Sequence, residues 1–205
     1  MNYETLANTE AVNKAIDALA KRGIEAVPVS NRTEALEKVK SLIPNGASVM
    51  NGSSRTLEEI GFVDYLKSGS HPWKNLHEEI LSEKDPTKQA ILRKQAVLSD
   101  YYLGSVHAVA ETGQLVIASN SGSQLPHIVF TSPNLIFVVG TQKIAPSLDA
   151  ALERVREHAL PLEDKRMKDA GMGGSAISKL LIFEREPTFM GRKVHVLFVN
   201  EKLGF

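Results

Sequence analysis

Ser48-Val49-Met50-Asn51-Gly52-Ser53-Ser54-Arg55-Thr56-Leu57-Glu58-Glu59-Ile60-Gly61 begins as a short apolar run, passes through small polar residues and ends in a helical segment. Ala47 to Met50 reads as a buried strand, and Leu57 to Ile60 as a short helix stopped by Gly61. The first backbone N–H groups of a helix lack intrahelical partners and attract anions. Together with the Ser53, Ser54 and Thr56 hydroxyls and the Arg55 guanidinium, the stretch Asn51 to Thr56, Gly52 included, is a candidate cradle for phosphate or carboxylate. The plainer reading makes Ser53 or Ser54 a helix cap, with Glu58 or Glu59 in the first turn. Caps are the commoner of the two.

Upstream, Thr5 to Lys21 has Leu6, Val12, Ile16 and Leu19 near one helical face, with Gly23 as the stop. Ile24 to Val29 reads as a strand whose Pro28 points to a sheet edge. Asn31 caps a helix carrying Leu36, Val39 and Ile43, and Pro44-Asn45-Gly46 is a turn. This β–α–β rhythm predicts parallel strands joined by crossover helices.

Downstream, Phe62 to Leu81 has no clear period, and Trp73 is a packing anchor rather than a stacking platform. Asp85-Pro86 opens a helix through about Tyr101, with Ile91, Leu92, Gln95 and Leu98 on or beside one face. Val106 to Ala118 fits two short strands around Thr112-Gly113, or one kinked strand. Gln124 to Phe130 reads as a short helix, Asn134 to Gly140 as a buried strand, and Pro146 starts a helix carrying Leu148, Leu152 and Val155. Lys179 to Phe183 and Lys193 to Val199 are the final strands; His195 lies in an apolar run and reads as a packed histidine.

With 205 residues, the chain suits one substantial α/β domain over residues 1–205. Its 24 Lys plus Arg balance 24 Asp plus Glu, and no basic-aromatic cluster stands out, so no nucleic-acid partner is expected. It has no cysteine, which excludes disulfides, thiolate nucleophiles, Cys-based zinc sites and thiolate-held iron–sulfur clusters. No apolar run approaches the roughly 20 residues that cross a bilayer. The start, Met1-Asn2-Tyr3-Glu4-Thr5, lacks the pattern of a signal peptide, so the expected setting is the cytoplasm with no membrane partner.

Three small-polar loops adjoin the expected strands: Asn51 to Thr56, Ser119 to Ser123 (with Gly122), and Gly171 to Ser175 (with Gly173 and Gly174). Ligands in open α/β sheets sit beyond the carboxyl ends of strands, so these loops are expected to line one cleft. None matches a phosphate-loop or dinucleotide fingerprint, and there is no Gly-x-Ser-x-Gly elbow or metal-ligand spacing. No cofactor follows from the residues. Glu111, beside Thr112 and Gly113 and next to an apolar strand, is the leading candidate for a general base or nucleophile. The alternative is a carboxylate satisfied by local donors. His107 and His127 flank this segment, and each more often plays a structural part.

Val49-Met50-Asn51-Gly52-Ser53-Ser54-Arg55-Thr56-Leu57-Glu58-Glu59-Ile60-Gly61, followed by Ala108-Val109-Ala110-Glu111-Thr112-Gly113-Gln114-Leu115-Val116, resembles the LUD-domain (lactate-utilisation) family. The likeness runs through Leu135-Ile136-Phe137-Val138-Val139 to Gly173-Gly174-Ser175. It implies a three-layer, Rossmann-like α/β fold, a mostly parallel sheet flanked by helices, shared with sugar-phosphate isomerases, glucosamine-phosphate deaminases and CoA-transferases. By that resemblance Gly52, Ser53, Ser54 and Thr56 grip a small anionic ligand, and Glu111 does the chemistry. The stretch Gly173-Gly174-Ser175-Ala176-Ile177-Ser178-Lys179 keeps the Gly and Ser of the lactate-operon members but lacks their Thr-Ala-Asp core. The resulting expectation is a domain that binds a small anionic metabolite in lactate or organic-acid utilisation, alone or as a homo-oligomer. The competing expectation is a non-catalytic subunit that assembles or regulates a complex with an iron–sulfur or flavin protein.

Overall fold

Along residues 134–140, Leu135, Phe137 and Val139 bury into one hydrophobic core while Ile136 and Val138 bury into another. A strand apolar on both sides must be covered on both sides. The computed structural model, which describes residues 2–205, shows how. Its strands are β1 (Glu25–Val29), β2 (Ser48–Asn51), β3 (Lys74–Asn75), β4 (Tyr101–Gly104), β5 (Ala108–Ala110), β6 (Leu115–Ser119), β7 (Asn134–Gly140), β8 (Ile144–Ala145), β9 (Lys179–Phe183) and β10 (Lys193–Val199). Six of them form a parallel sheet in the order β1-β10-β7-β4-β2-β3, and Pro28 does lie on an edge strand.

One face of this sheet is covered by α2 (Arg32–Leu42), α3 (Arg55–Glu59) and α4 (Phe62–Lys67), through Ala35, Val39, Leu57, Phe62 and Leu66. Trp73 is buried in the same core and donates its indole N–H to the Ile43 carbonyl at 3.2 Å, which makes it an anchor. The other face is covered by α1 and by a second sheet. Helix α1 (Thr9–Ala20) starts at its cap Asn8 rather than at Thr5, and buries Val12, Ala15 and Leu19. The second sheet, ordered β8-β5-β6-β9, contributes Val109, Leu115, Ile117 and Phe183. Its outer side is small, with Ala108, Ala110, Val116 and Ala145. That lets α7 (Leu148–Arg154) and the π turn at Val155–Ala159 pack closely through Ala151 and Val155, before the chain continues into α8 (Leu160–Asp169).

The chain departs from the sequence reading between residues 62 and 104. Residues 74–82 supply the two-residue β3 and α5 (Leu76–Ser82). Helix α6 (Pro86–Gln95), capped by Asp85, ends six residues before Tyr101, and Tyr101 opens an interior strand. The reason is a polar clip. Asp100 Oδ2 accepts from the Ser48 backbone N–H at 2.8 Å and its hydroxyl at 2.6 Å, and the Asp100 carbonyl accepts from Asn134 Nδ2 at 2.9 Å. The clip aligns the starts of β2, β4 and β7. Ile91 and Leu98, expected on a core face, are exposed. The final two strands fall in different sheets, β9 in the small one and β10 in the large.

Residues 108–118 form the two-strand alternative. The β5–β6 hairpin turn is bolted to the end of α1 by Arg22, whose Nε donates to the Thr112 carbonyl at 2.8 Å and whose Nη1 donates to the Glu184 carbonyl at 2.7 Å. Gly113 has φ +93, and a Cβ there would lie 2.8 Å from Arg22 Cδ and 2.9 Å from the Ala18 carbonyl carbon. Gly113→Ala is therefore expected to destabilise the chain by about 2 kcal/mol in urea unfolding. Glu111→Gln, which weakens only the partly exposed pair with Lys14, should change stability by less than about 1 kcal/mol.

Candidate functional site

In a parallel sheet all strands end on the same side, so the segments that follow neighbouring strands meet there. The neighbours β10, β7, β4 and β2 run into residues 200–205, Thr141–Lys143, Ser105 and the Gly52–Thr56 loop respectively. These segments bound a cavity of about 420 Å³, in the range that holds a small metabolite. Ser119, Ser121 and Ser123 of the second loop line it, as does Ser175 of the third. The π turn after α7 closes it through Val155 and Ala159.

Lys143 is the charged side chain at the centre of this arrangement. It leaves the end of β7 in a single 3₁₀ turn and is 3% exposed. Its Nζ donates to Thr56 Oγ1 and to Ser105 Oγ, each at 3.1 Å, and pairs with no carboxylate among the described residues. Burial, reinforced by the nearby Arg154 and opposed by Glu59, pulls its pKa down to about 7. Glu59 is already engaged, accepting from the Gly204 backbone N–H at 2.7 Å and from Arg55 at 3.5 Å. Gly204 passes against Thr56 Oγ1 and 3.2 Å from Lys143 Nζ where a Cβ would sit, so a side chain there has no room.

Arg154 is a second buried cation, 1% exposed. Its Nη1 donates to the carbonyl of His107, a cavity-lining residue, while its Nε and Nη2 have no hydrogen-bond partner among the described residues. Burial pulls its pKa down to about 10. His107 accepts from the Ala118 N–H at 3.1 Å through Nδ1, so Nε2 is its protonated nitrogen. Burial, with Lys143 and Arg154 close by, lowers its pKa to about 3 and keeps it neutral. Tyr102 forms another wall; burial raises its pKa, and its hydroxyl would lie 2.5 Å from a Cβ at position 52, which explains the glycine there.

The expected site residues divide clearly. Gly52, Ser53, Ser54, Arg55, Thr56, Ser123 and Ser175 line the cavity. The cap reading of the first loop is the one the geometry carries: Ser54 Oγ accepts from the Leu57 N–H at 3.3 Å, and α3 is one turn long. Arg55 pairs with Glu58 at 3.0 Å and with Glu59 at 3.5 Å, so its charge is spent locally. Asn51 is buried below the loop, within 3.3 Å of His77 Nδ1. Gly122, Gly173 and Gly174 shape their loops without lining the cavity. Glu111, Thr112 and Gly113 are elsewhere, in the hairpin turn, where Glu111 accepts from Lys14 at 2.7 Å beside a separate shallow depression. His127 belongs to a buried network with Ser99 and Ser132, at 3.3 and 3.0 Å, and stacks on Tyr102. Among the described residues, no three His, Asp or Glu side chains are placed to hold a metal ion.

Lys143 and Arg154 were absent from the sequence-level candidates. Each had a signal: Lys143 comes three residues after the end of the most apolar strand, and Arg154 sits beside Val155 on the face of α7 that carries Ala151.

A six-stranded all-parallel sheet covered on both faces, with a cavity at the carboxyl ends of its strands, defines an α/β class of fold. The family model of the LUD domain matches residues 12–199, and the chain belongs to that family. A DUF162-family protein of Deinococcus radiodurans, known from its crystal structure, has a similar fold, with TM-score 0.53 and 12% sequence identity over 96% of this chain and 100% of that one. Comparison with curated protein sequences gives no match. Among the described residues no helix is long and apolar enough to cross a membrane.

Lys143 gives the site a stability signature. A cation whose folded pKa is about 7, against 10.5 when free, imposes a folding penalty that is complete below pH 7 and fades as pH rises to 10.5. Lys143→Met should therefore be more stable than the parent at pH 6, by on the order of 2 kcal/mol, and should lose that advantage by about pH 10. Paired urea titrations across this range check it.

Proposed function

We propose that this LUD-domain protein binds a small anionic metabolite against Lys143, in the service of lactate or another organic acid's utilisation. One observation carries the reading: an amine 3% exposed, at the wall of a metabolite-sized cavity, whose hydrogen bonds among the described residues go to two hydroxyls and to no carboxylate. A buried cation without a counter-ion is costly, and an anion in the cavity supplies the missing charge. Arg154, buried nearby with two unpartnered nitrogens, adds to the same demand. The Ser53 and Ser123 hydroxyls are donors suited to phosphate or carboxylate oxygens. The link to organic acids rests on the family, and any electron transfer through an iron–sulfur cluster would fall to a partner because the chain has no thiolate. This reading puts the chemistry at the cavity and gives Glu111, which pairs with Lys14 at 2.7 Å in the hairpin turn, no part in it.

A second reading, a subunit that assembles or regulates an iron–sulfur or flavin oxidation complex, draws on exposed Leu98, Val129 and Phe130, on turns that pack together. It predicts co-purification of such a partner with the tagged chain, whereas isolation as a lone homo-oligomer counts against it.

Thermal melts with oxalate, lactate, inorganic phosphate and sugar phosphates test the first reading. A ligand at a hundred times its dissociation constant should stabilise the chain by about 2.7 kcal/mol. Affinity should fall as pH rises from 7 to 9, by up to roughly tenfold per unit, because the ammonium that meets the anion is lost. Lys143→Met should abolish the shift and Glu111→Gln should retain it. The reverse pattern would move the site to the hairpin.

A further inference from the structure

We propose that Lys143 is a nucleophile as well as a charge, forming an imine with the carbonyl of a small oxo acid held in the cavity; this rests on the anion-site reading above. The geometry separates this amine from an ordinary salt-bridging lysine. No carboxylate pairs directly with it among the described residues, so the ammonium form is held by two hydroxyl acceptors and the field of Glu59 rather than by an ion pair. Its two neighbours, Thr56 Oγ1 and Ser105 Oγ, accept from it at 3.1 Å while donating to the Leu203 carbonyl at 3.4 Å and the Val106 carbonyl at 3.3 Å; rotation of either hydroxyl away from these long bonds lets it return a proton. The charges around it are mixed but mostly committed: Arg154 is close by, His107 is neutral, Glu59 acts on it while bonded to Arg55 and the Gly204 N–H, and the cavity-lining Glu163 pairs with Arg166 at 2.7 Å. Desolvated amines beside a second cation are the ones that stay free to attack carbonyls at neutral pH. The cation neighbours favour a carbonyl compound that carries a negative charge, hence an oxo acid.

The step balances without any further reagent. The Nζ lone pair forms a bond to the carbonyl carbon, and the carbonyl oxygen takes up a proton. The nitrogen sheds its protons as the hydroxyl departs as water, leaving a C=N bond. Thr56 and Ser105 are placed to pass those protons between nitrogen and oxygen. Their role is to position and relay, while the bond is made by Lys143 alone.

Borohydride trapping tests this on the full chain. The protein is incubated with glyoxylate, pyruvate or 2-oxoglutarate and sodium cyanoborohydride, then weighed intact and mapped by peptide mass spectrometry. The expected result is close to one adduct per chain, with the mass of the oxo acid less one oxygen atom, on the peptide containing Lys143. Excess oxalate, which has the charge but no ketone or aldehyde carbonyl, should suppress it, and Lys143→Arg should show none. Mapping the parent locates the adduct even if the variant does not fold. A melt shift with oxalate but no adduct would overturn the imine and leave the anion site standing. Neither shift nor adduct would overturn both. Adducts confined to other lysines would overturn the assignment to Lys143.

Discussion

Burying an ammonium without a carboxylate is among the costlier things a fold can do, and the architecture around Lys143 shows what makes it tolerable. The amine is delivered by the end of a strand that is apolar on both faces, so its backbone has no freedom to retreat to solvent. Its hydrogen bonds come from segments following two other strands of the same sheet, Thr56 after β2 and Ser105 after β4. That meeting requires the strands to be parallel and their starts to be level. The Ser48–Asp100–Asn134 clip sets that level at the opposite end of the sheet. A slip of one residue would exchange the two faces of a strand and carry its loop away from the amine.

Much of the fold was legible because it is written in hydrophobic period and in caps. Asn31, Asp85 and Gly61 mark helix boundaries where the sequence reading placed them, and the run at residues 134–140 can only be an interior parallel strand. The failures share a cause. Strand β4 has only four residues and follows α6 after a 3₁₀ turn and just two further residues, so Tyr101 looked like a continuation of the helix. Helix α6 buries none of its own side chains, and its apolar residues suggested a core face that does not exist. Similarly, nothing local tells β9 and β10 apart, since their assignment to different sheets depends on partners far away in sequence.

At the site, the convergence of three small-polar loops followed from topology, but the functional weight of the residues in them did not. The Gly52–Thr56 loop looked like an anion cradle because serine, threonine and arginine stood at a helix start. In three dimensions those groups are largely occupied: Ser54 caps, Arg55 pairs with two glutamates, and Thr56 serves Lys143. The Ala110-Glu111-Thr112-Gly113 segment drew attention for its lone carboxylate, yet its glycine and threonine are explained by Arg22 docking on the hairpin turn. A sequence shows which residue types are present but not which of their donors and acceptors are already spent. Lys143 is the converse case, an unremarkable residue in a row of 205 whose importance comes from what does not pair with it.

The two roles proposed for Lys143 pull on its proton in opposite directions. Holding a carboxylate or phosphate calls for the ammonium, while attack on a carbonyl calls for the free amine. An amine with its usual pKa near 10.5 could serve only the first at neutral pH, and one buried in a fully apolar pocket only the second. Two hydroxyls and the field of an already committed glutamate offset part of the burial and give an intermediate setting, with the pKa brought down to about 7. An oxo acid would exploit this balance, since its charge is met by the neighbouring donors while its carbonyl takes the amine. A plain carboxylate would instead draw a proton onto Lys143 as it bound. Removing Thr56 or Ser105 would tip the balance toward the neutral form by stripping solvation from the ammonium. On the proposed reading, those two hydroxyls, more than the lysine itself, decide whether the charged or the neutral amine meets the ligand.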